Sequence, residues 1–261
     1  MKKFKELSRK VISSLAADLL PPIITKSLRW NRLAPHPYSR FKAKNGIDKQ
    51  MLDFINYRDG FFVEIGAGDG VYLSNTFYFE KNLGWRGILV DPVLHHHLNC
   101  LTNRPRSIAY LCAATNFENN SDYIKLNYGG YSTLSQGVQS DINDAQQHLD
   151  DAANYLPLRN TGVEFIAPLR TMTEILDSSN APNVIDFFSL DVEGNELEVL
   201  QGIDFSRYQI RWLLVESRDI RRISEYLEPQ KYSIKKKLAS CDYLFEYLGN
   251  TELHLSCTVH S

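Results

Sequence analysis

The sequence predicts an α/β protein built on a mostly parallel, doubly wound sheet, with a helical arm at its N-terminus. Three observations carry this. Short apolar runs alternate with segments of helical period along most of the chain. Three of those runs end in acids, at Asp91, Asp191 and Glu216. One run, Phe61–Ile65, opens directly into the glycine-rich turn Gly66-Ala67-Gly68-Asp69-Gly70. In open α/β sheets ligands bind at the carboxyl ends of the strands, so acids and glycines there point to a crevice rather than a core.

Bulk properties fit this class. The 261 residues are 43% apolar and 23% charged, as in ordinary globular domains. The net charge of −2 gives no global signal for nucleic acid. Cys100, Cys112, Cys241 and Cys257 are scattered without a Cys-x-x-Cys pair, which suits reduced thiols in a cytoplasmic protein. No apolar run approaches the ~20 residues that span a bilayer. Lys10, Asp18 and Pro21-Pro22 interrupt any signal-peptide core.

Residues 1–38 form a separate basic arm. Its first 34 residues hold eight Lys and Arg against Glu6 and Asp18, a net of +6, which leaves −8 for the rest of the chain. Phe4, Leu7, Val11, Leu15 and Leu19 recur at helical spacing, so residues 3–20 are expected to be an amphipathic helix ended by Pro21. Such a helix packs on its own domain or makes a peripheral contact with the inner face of a membrane. Ala34-Pro35-His36-Pro37 reads as a linker, and residues 39–261 as one domain.

Within the domain, Phe61–Ile65 is a buried strand, and Tyr72–Lys81 the helix expected after the turn. A dinucleotide fingerprint needs a third glycine at position 71, which is Val71. The spacing is instead Glu64-x-Gly66-x-Gly68-x-Gly70, which suits a ligand without phosphates whose cationic group is met by carboxylates. Glycines are expected there because a Cβ would block approach to the ligand and because such turns often use positive φ. Trp85–Asp91 is the second strand. Asp91 lies where an acid grips ribose hydroxyls, with turn capping before Pro92 as the alternative. His95, His96 and His97 point in different directions on a helix and are expected to be mostly solvated, one lining the crevice.

Ile108–Cys112 suits a third strand. Residues 115–170 then interrupt the alternation as an insertion. Ser121–Leu126 and Val163–Ala167 look like strands, Asp141–Tyr155 like a helix, and Gly129–Ser135 is a polar glycine loop; such an insertion is either a lid or substrate wall, or a solvated connector. Thr171–Leu176 begins a helix, with Thr171 or Thr173 as N-cap. Asp186–Leu190 is a strand that runs into Asp191 and Glu193, followed by a helix carrying Leu197, Leu200 and Ile203. Capping of that helix is the competing reading for both acids. Ile210–Glu216 is a fifth strand, Ile220–Leu227 a helix, and Tyr232–Leu238 with Asp242–Leu248 a hairpin-like close.

Together these residues resemble a known family. Phe62-Val63-Glu64-Ile65-Gly66-Ala67-Gly68-Asp69-Gly70 with Ser74-Asn75-Thr76, Gly84-Trp85-Arg86-Gly87, and Ser189 to Phe205 are similar to FkbM-type methyltransferases, a branch of the class I S-adenosylmethionine-dependent methyltransferases. Asn45-Gly46-x-Asp48 resembles the segment before that family's first strand. The resemblance covers roughly residues 39–250.

It implies a seven-stranded sheet with its last strand antiparallel, S-adenosylmethionine as cofactor, and methylation of a hydroxyl oxygen on a saccharide, glycolipid or natural product. Glu64, Gly66 and Gly68, with Asp69 beside them, would hold the methionine end, Asp91 the ribose, and Ala113 would sit near adenine. Asp191 would lie at the methyl-transfer crevice. A sugar hydroxyl must lose its proton as it attacks, so Asp191 is the first candidate base, Glu193 the second, and a histidine of His95–His97 the third. Asp191 and Glu193 could instead share a divalent cation. The rival readings are a nicotinamide-dependent oxidoreductase, against which Val71 stands, and an inactive binding protein, against which the intact acids stand.

Overall fold

The computed structural model describes residues 40–135 and 163–249, with residues 144, 147, 150 and 151 between them. The expected arm helix, the proline linker, Cys257 and most of the expected helix Asp141–Tyr155 lie outside the described residues. Gln147, Asp150 and Asp151 of that helix are helical.

The strands, in chain order, are β1 Phe61–Ile65, β2 Arg86–Val90, β3 Ile108–Tyr110, β4 Ala113–Thr115, β5 Tyr123–Tyr128, β6 Leu134–Ser135, β7 Val163–Thr171, β8 Val184–Leu190, β9 Gln209–Glu216, β10 Tyr232–Lys237 and β11 Asp242–Tyr247. The helices are α1 Ile47–Gln50, α2 Leu52–Ile55, α3 Phe77–Leu83, α4 Leu94–Asn103, α5 Met172–Ser178, α6 Glu196–Leu200 and α7 Ile220–Leu227. Seven strands form one sheet in the order β10-β11-β9-β8-β1-β2-β3. β3, β2, β1, β8 and β9 run parallel, while β11 is antiparallel to both β9 and β10. This is the expected sheet, including its reversed last strand.

The sheet is covered on both faces, as near-continuous apolar parallel strands require. Period-two alternation sends Val63, Ile65, Phe188 and Leu190 to one face, where they pack against Met172, Ile175 and Leu176 of α5 and Leu200 of α6. Phe62, Leu89 and Phe187 face the other way, onto Met51 and Ile55 from the segment before β1 and Phe79 of α3. Thr171 caps α5 in a reciprocal box: Glu174 N donates to Thr171 Oγ1 at 3.2 Å, and Thr171 N donates to Glu174 Oε2 at 2.7 Å.

Two expectations are corrected. The helix after the glycine turn begins at Phe77, not Tyr72. Residues 71–76 wrap the Glu64 carboxylate instead, which accepts from Ser74 Oγ at 2.8 Å, Asn75 N at 2.7 Å and Thr76 Oγ1 at 2.6 Å. Leu73 takes a left-handed φ of 60° in that wrap. Second, the third strand stops at Tyr110. The chain resumes at β4, which joins the insertion in a separate four-stranded sheet of order β4-β7-β5-β6. There β4 runs parallel to β7, pairing Ala113 with Leu169, and β5 and β7 pair antiparallel. The inner face of this sheet carries Ile124 and Leu126 into the cavity described next.

Candidate active site

A cavity of about 390 Å³ opens at the carboxyl ends of the parallel strands. That size is in the range of small-molecule sites. The end of β1 supplies Glu64 to Gly68, the end of β2 Asp91, the end of β8 Asp191 and Glu193, and the end of β9 Glu216. Asp242 enters from β11, Lys44 and Ile47 from the segment before β1, and Gly130–Thr133 from the insertion.

The glycine turn is held from behind by α4. Cys100 Sγ donates to Gly68 O at 3.2 Å, Asn103 Nδ2 to Asp69 O at 2.9 Å and Arg104 Nη1 to Gly70 O at 2.9 Å. Arg104 is fully buried and also pairs with Glu80 at 2.8 Å and Glu64 at 3.6 Å. Nothing in the local sequence marks Arg104 as the centre of this network; only the fold brings Glu64, Glu80 and the turn to it.

The glycines are required by the protein's own contacts. A Cβ on Gly66, at φ 79°, would fall far inside van der Waals contact with the Asp191 carbonyl oxygen. A Cβ on Gly68, at φ 54°, would lie 2.6 Å from Cε1 of Tyr131. The turn after β1 and the loop after β8 therefore touch backbone to backbone, and Asp191 N donates to Ile65 O at 3.1 Å beside that contact.

The expected cofactor residues fall as follows. Glu64 lines the cavity, but its oxygens are engaged by Ser74, Asn75 and Thr76. Asp91 is buried and also lines it; Oδ2 accepts from Gly68 N at 2.8 Å and Oδ1 from Val93 N at 2.9 Å. Ala113 is part of an apolar strip with Val93, Cys112, Ile124 and Leu126. Asp69 is not among the lining residues; its Oδ1 accepts from Val71 N and Tyr72 N at 2.8 and 2.7 Å.

The histidines are not solvated as a group. His96 is buried behind Asp91, with Nδ1 3.1 Å from Asp91 Oδ1, while His95 is exposed. None of the three lines the cavity. Burial, and then the neighbouring His96, pull the pKa of His95 down. Cys100 and Cys112 are free thiols pushed up to about 12 by burial, which leaves them protonated and inert.

At the other end, Asp191 is half-buried and faces the cavity. It does not stand alone. Asp191, Glu193 and Glu216 each bring a carboxylate oxygen to within 4.8 Å of the others. Burial, the charges of Glu216 and Glu193, and a hydrogen bond with Glu216 raise the Asp191 carboxyl well above the usual carboxylate range. Burial and Glu216 also raise Asp242, to about 6, with Lys44 opposing. Such oxygens either share protons or take a hard divalent cation.

Capping of α6 does not explain these acids. The loop amides of Val192 and Gly194 donate to Glu196 Oε1, each at 3.0 Å. Glu193 sits at φ 56°, a costly conformation for a side-chain-bearing residue, and Arg218 Nη2 lies 3.4 Å from its Oε2. Glu216 ends β9 as the sequence showed, but its place beside Asp191 follows from the pairing of β8 with β9.

A family model described as "Methyltransferase FkbM domain" matches residues 64–245. The chain belongs to the FkbM methyltransferase family. Members of this class generally use S-adenosylmethionine, and the FkbM match spans the glycine turn, Asp91, Glu216 and the loop of Asp191. No curated protein matches the sequence. Among solved structures, the crystal structure of precorrin-6y C5,15-methyltransferase from Geobacter metallireducens GS-15 is similar over 82% of this chain and 92% of its own. The identity is 11% and the TM-score 0.38, too loose a likeness to carry an argument. No helix among the described residues of this FkbM methyltransferase is long and apolar enough to cross a membrane.

Proposed function

We propose that this FkbM methyltransferase is an S-adenosylmethionine-dependent O-methyltransferase acting on a saccharide-like hydroxyl, with Asp191 as the base. The observation that carries the reading is the position of Asp191: its carboxyl enters the same cavity as the glycine turn and Asp91.

The lining suits the cofactor. Acids offset the positive charge of a sulfonium and an ammonium, and the strip of Val93, Ala113, Ile124 and Leu126 offers an apolar surface to a purine. When bound, the cofactor supplies an electrophilic methyl group. Asp91 would orient it, and the wall formed by Ile124 and Leu126 would exclude water. Asp191 accepts the hydroxyl proton of the acceptor. Burial, Glu216 and Glu193 raise its basicity, which brings the group nearer to the operating pH of a general base. Glu193, closer to Arg218, is the secondary candidate.

The test is release of S-adenosylhomocysteine from the purified chain against a panel of sugars and glycolipids. Turnover with a hydroxyl acceptor supports the reading. Turnover only with amine or carbon acceptors replaces it with another methyltransferase specificity.

A further inference from the structure

The insertion places one aromatic side chain at the cofactor end of the cavity. Tyr131 lies in the short turn between β5 and β6, and its ring rests on the α-carbon of Gly68. The ring stacks on His96, with centroids 4.9 Å apart and an interplanar angle of 23°, and meets Tyr72 at 5.2 Å. Its hydroxyl donates to the Asp69 carboxylate. His96 in turn contacts Asp91, and Asp91 accepts from Gly68 N. The cavity keeps its volume of about 390 Å³ with Tyr131 in place, so the ring walls the space rather than filling it.

We propose that Tyr131 is a cofactor-binding residue that the insertion contributes, and that its clasp on Gly68, Asp69 and His96 sets how long the cofactor stays bound. The inference rests on the assignment of S-adenosylmethionine to this cavity. It gives Asp69 a role that cavity contact does not: Asp69 positions the wall. It also adds a second contribution of the insertion to the cofactor site, beside Ile124 and Leu126. Removing the ring opens the pocket to water beside Asp91, which speeds departure of the ligand more than its arrival.

The test is surface plasmon resonance on the full chain with S-adenosylhomocysteine as probe. Tyr131→Phe keeps the ring contacts and loses the bond to Asp69; Tyr131→Ala loses both. Aromatic contacts of this kind convert to a roughly tenfold faster dissociation for Tyr131→Ala, with about two- to threefold for Tyr131→Phe and little change in association. If Tyr131→Ala fails to fold by circular dichroism, Tyr131→Leu and Tyr131→Phe carry the same comparison. Dissociation unchanged in these variants, or slowed, overturns the inference while leaving the cofactor assignment standing. Absence of binding by the wild-type chain removes that assignment, and this inference with it.

Discussion

Gly66→Ala tests the contact that joins the two halves of the site. The added Cβ meets the carbonyl oxygen of Asp191, a backbone atom that cannot rotate aside. The residue must also keep φ near 79°. The left-handed conformation costs about 1–2 kcal/mol for a residue with a Cβ. Overpacking costs about 1–3 kcal/mol more, because the loop after β8 must shift to relieve it. The sum is about 2–5 kcal/mol, which in a domain of this size lowers Tm by roughly 4–20 °C. The same shift moves Asp191, so turnover falls by more than cofactor affinity. Thermal unfolding followed by circular dichroism, with the turnover assay alongside, reads both effects. A Tm within about 1 °C of wild type with turnover intact refutes the close approach of the glycine turn to the Asp191 loop.

Further expectations concern the acids and their neighbours. Asp191→Asn retains cofactor binding by calorimetry and loses about 10²- to 10⁴-fold in turnover; unchanged turnover removes Asp191 as the base. Because the folded-state pKa of Asp191 is raised, its protonation favours folding, and that contribution is lost as pH rises through the folded pKa. Asp191→Asn is therefore more stable than wild type at neutral pH, with a gain that shrinks on acidification in urea titrations. For the same reason, turnover rises with pH along a limb above the ordinary carboxylate range. Arg104→Met leaves Glu80 and Glu64 buried without their cation and costs about 3–5 kcal/mol in urea unfolding; a loss below about 1 kcal/mol contradicts a buried network. Chelation leaves turnover unchanged if Asp191, Glu193 and Glu216 share protons; loss restored by magnesium places a cation among them.

The sheet was legible in the sequence because apolar runs alternate with helical segments, and because acids mark strand ends at Asp91, Asp191 and Glu216. The reversed β11 came from the resemblance, since a hairpin-like pair does not itself say which strand inserts beside β9. What stayed hidden depends on contacts between distant segments. Residues 71–76 have the apolar content of a helix start, but Glu64 draws the amide of Asn75 and the hydroxyls of Ser74 and Thr76 to itself. Arg104 looks like a helix-end residue until the fold closes Glu80, Glu64 and the turn around it. His96 was read with its neighbours as solvent-facing, yet a period of 3.6 residues buries it and Cys100 together and leaves His95 outside. Gly66 and Gly68 take the positive φ expected of such a turn, but their missing Cβ atoms also make room for Asp191 and Tyr131, contacts that only the fold shows. Glu216 carried a usable signal, a third strand ending in an acid, and only the order of strands shows which acid it joins.

The central claim is that this acid-lined cavity holds a sulfonium nucleoside. Isothermal calorimetry of the full chain with S-adenosylmethionine and S-adenosylhomocysteine tests it most directly, with Asp91→Asn as control. Saturable binding of both, weakened in the control, is the result expected. A folded chain that gives no heat with either ligand, or that instead binds reduced nicotinamide dinucleotide, contradicts it.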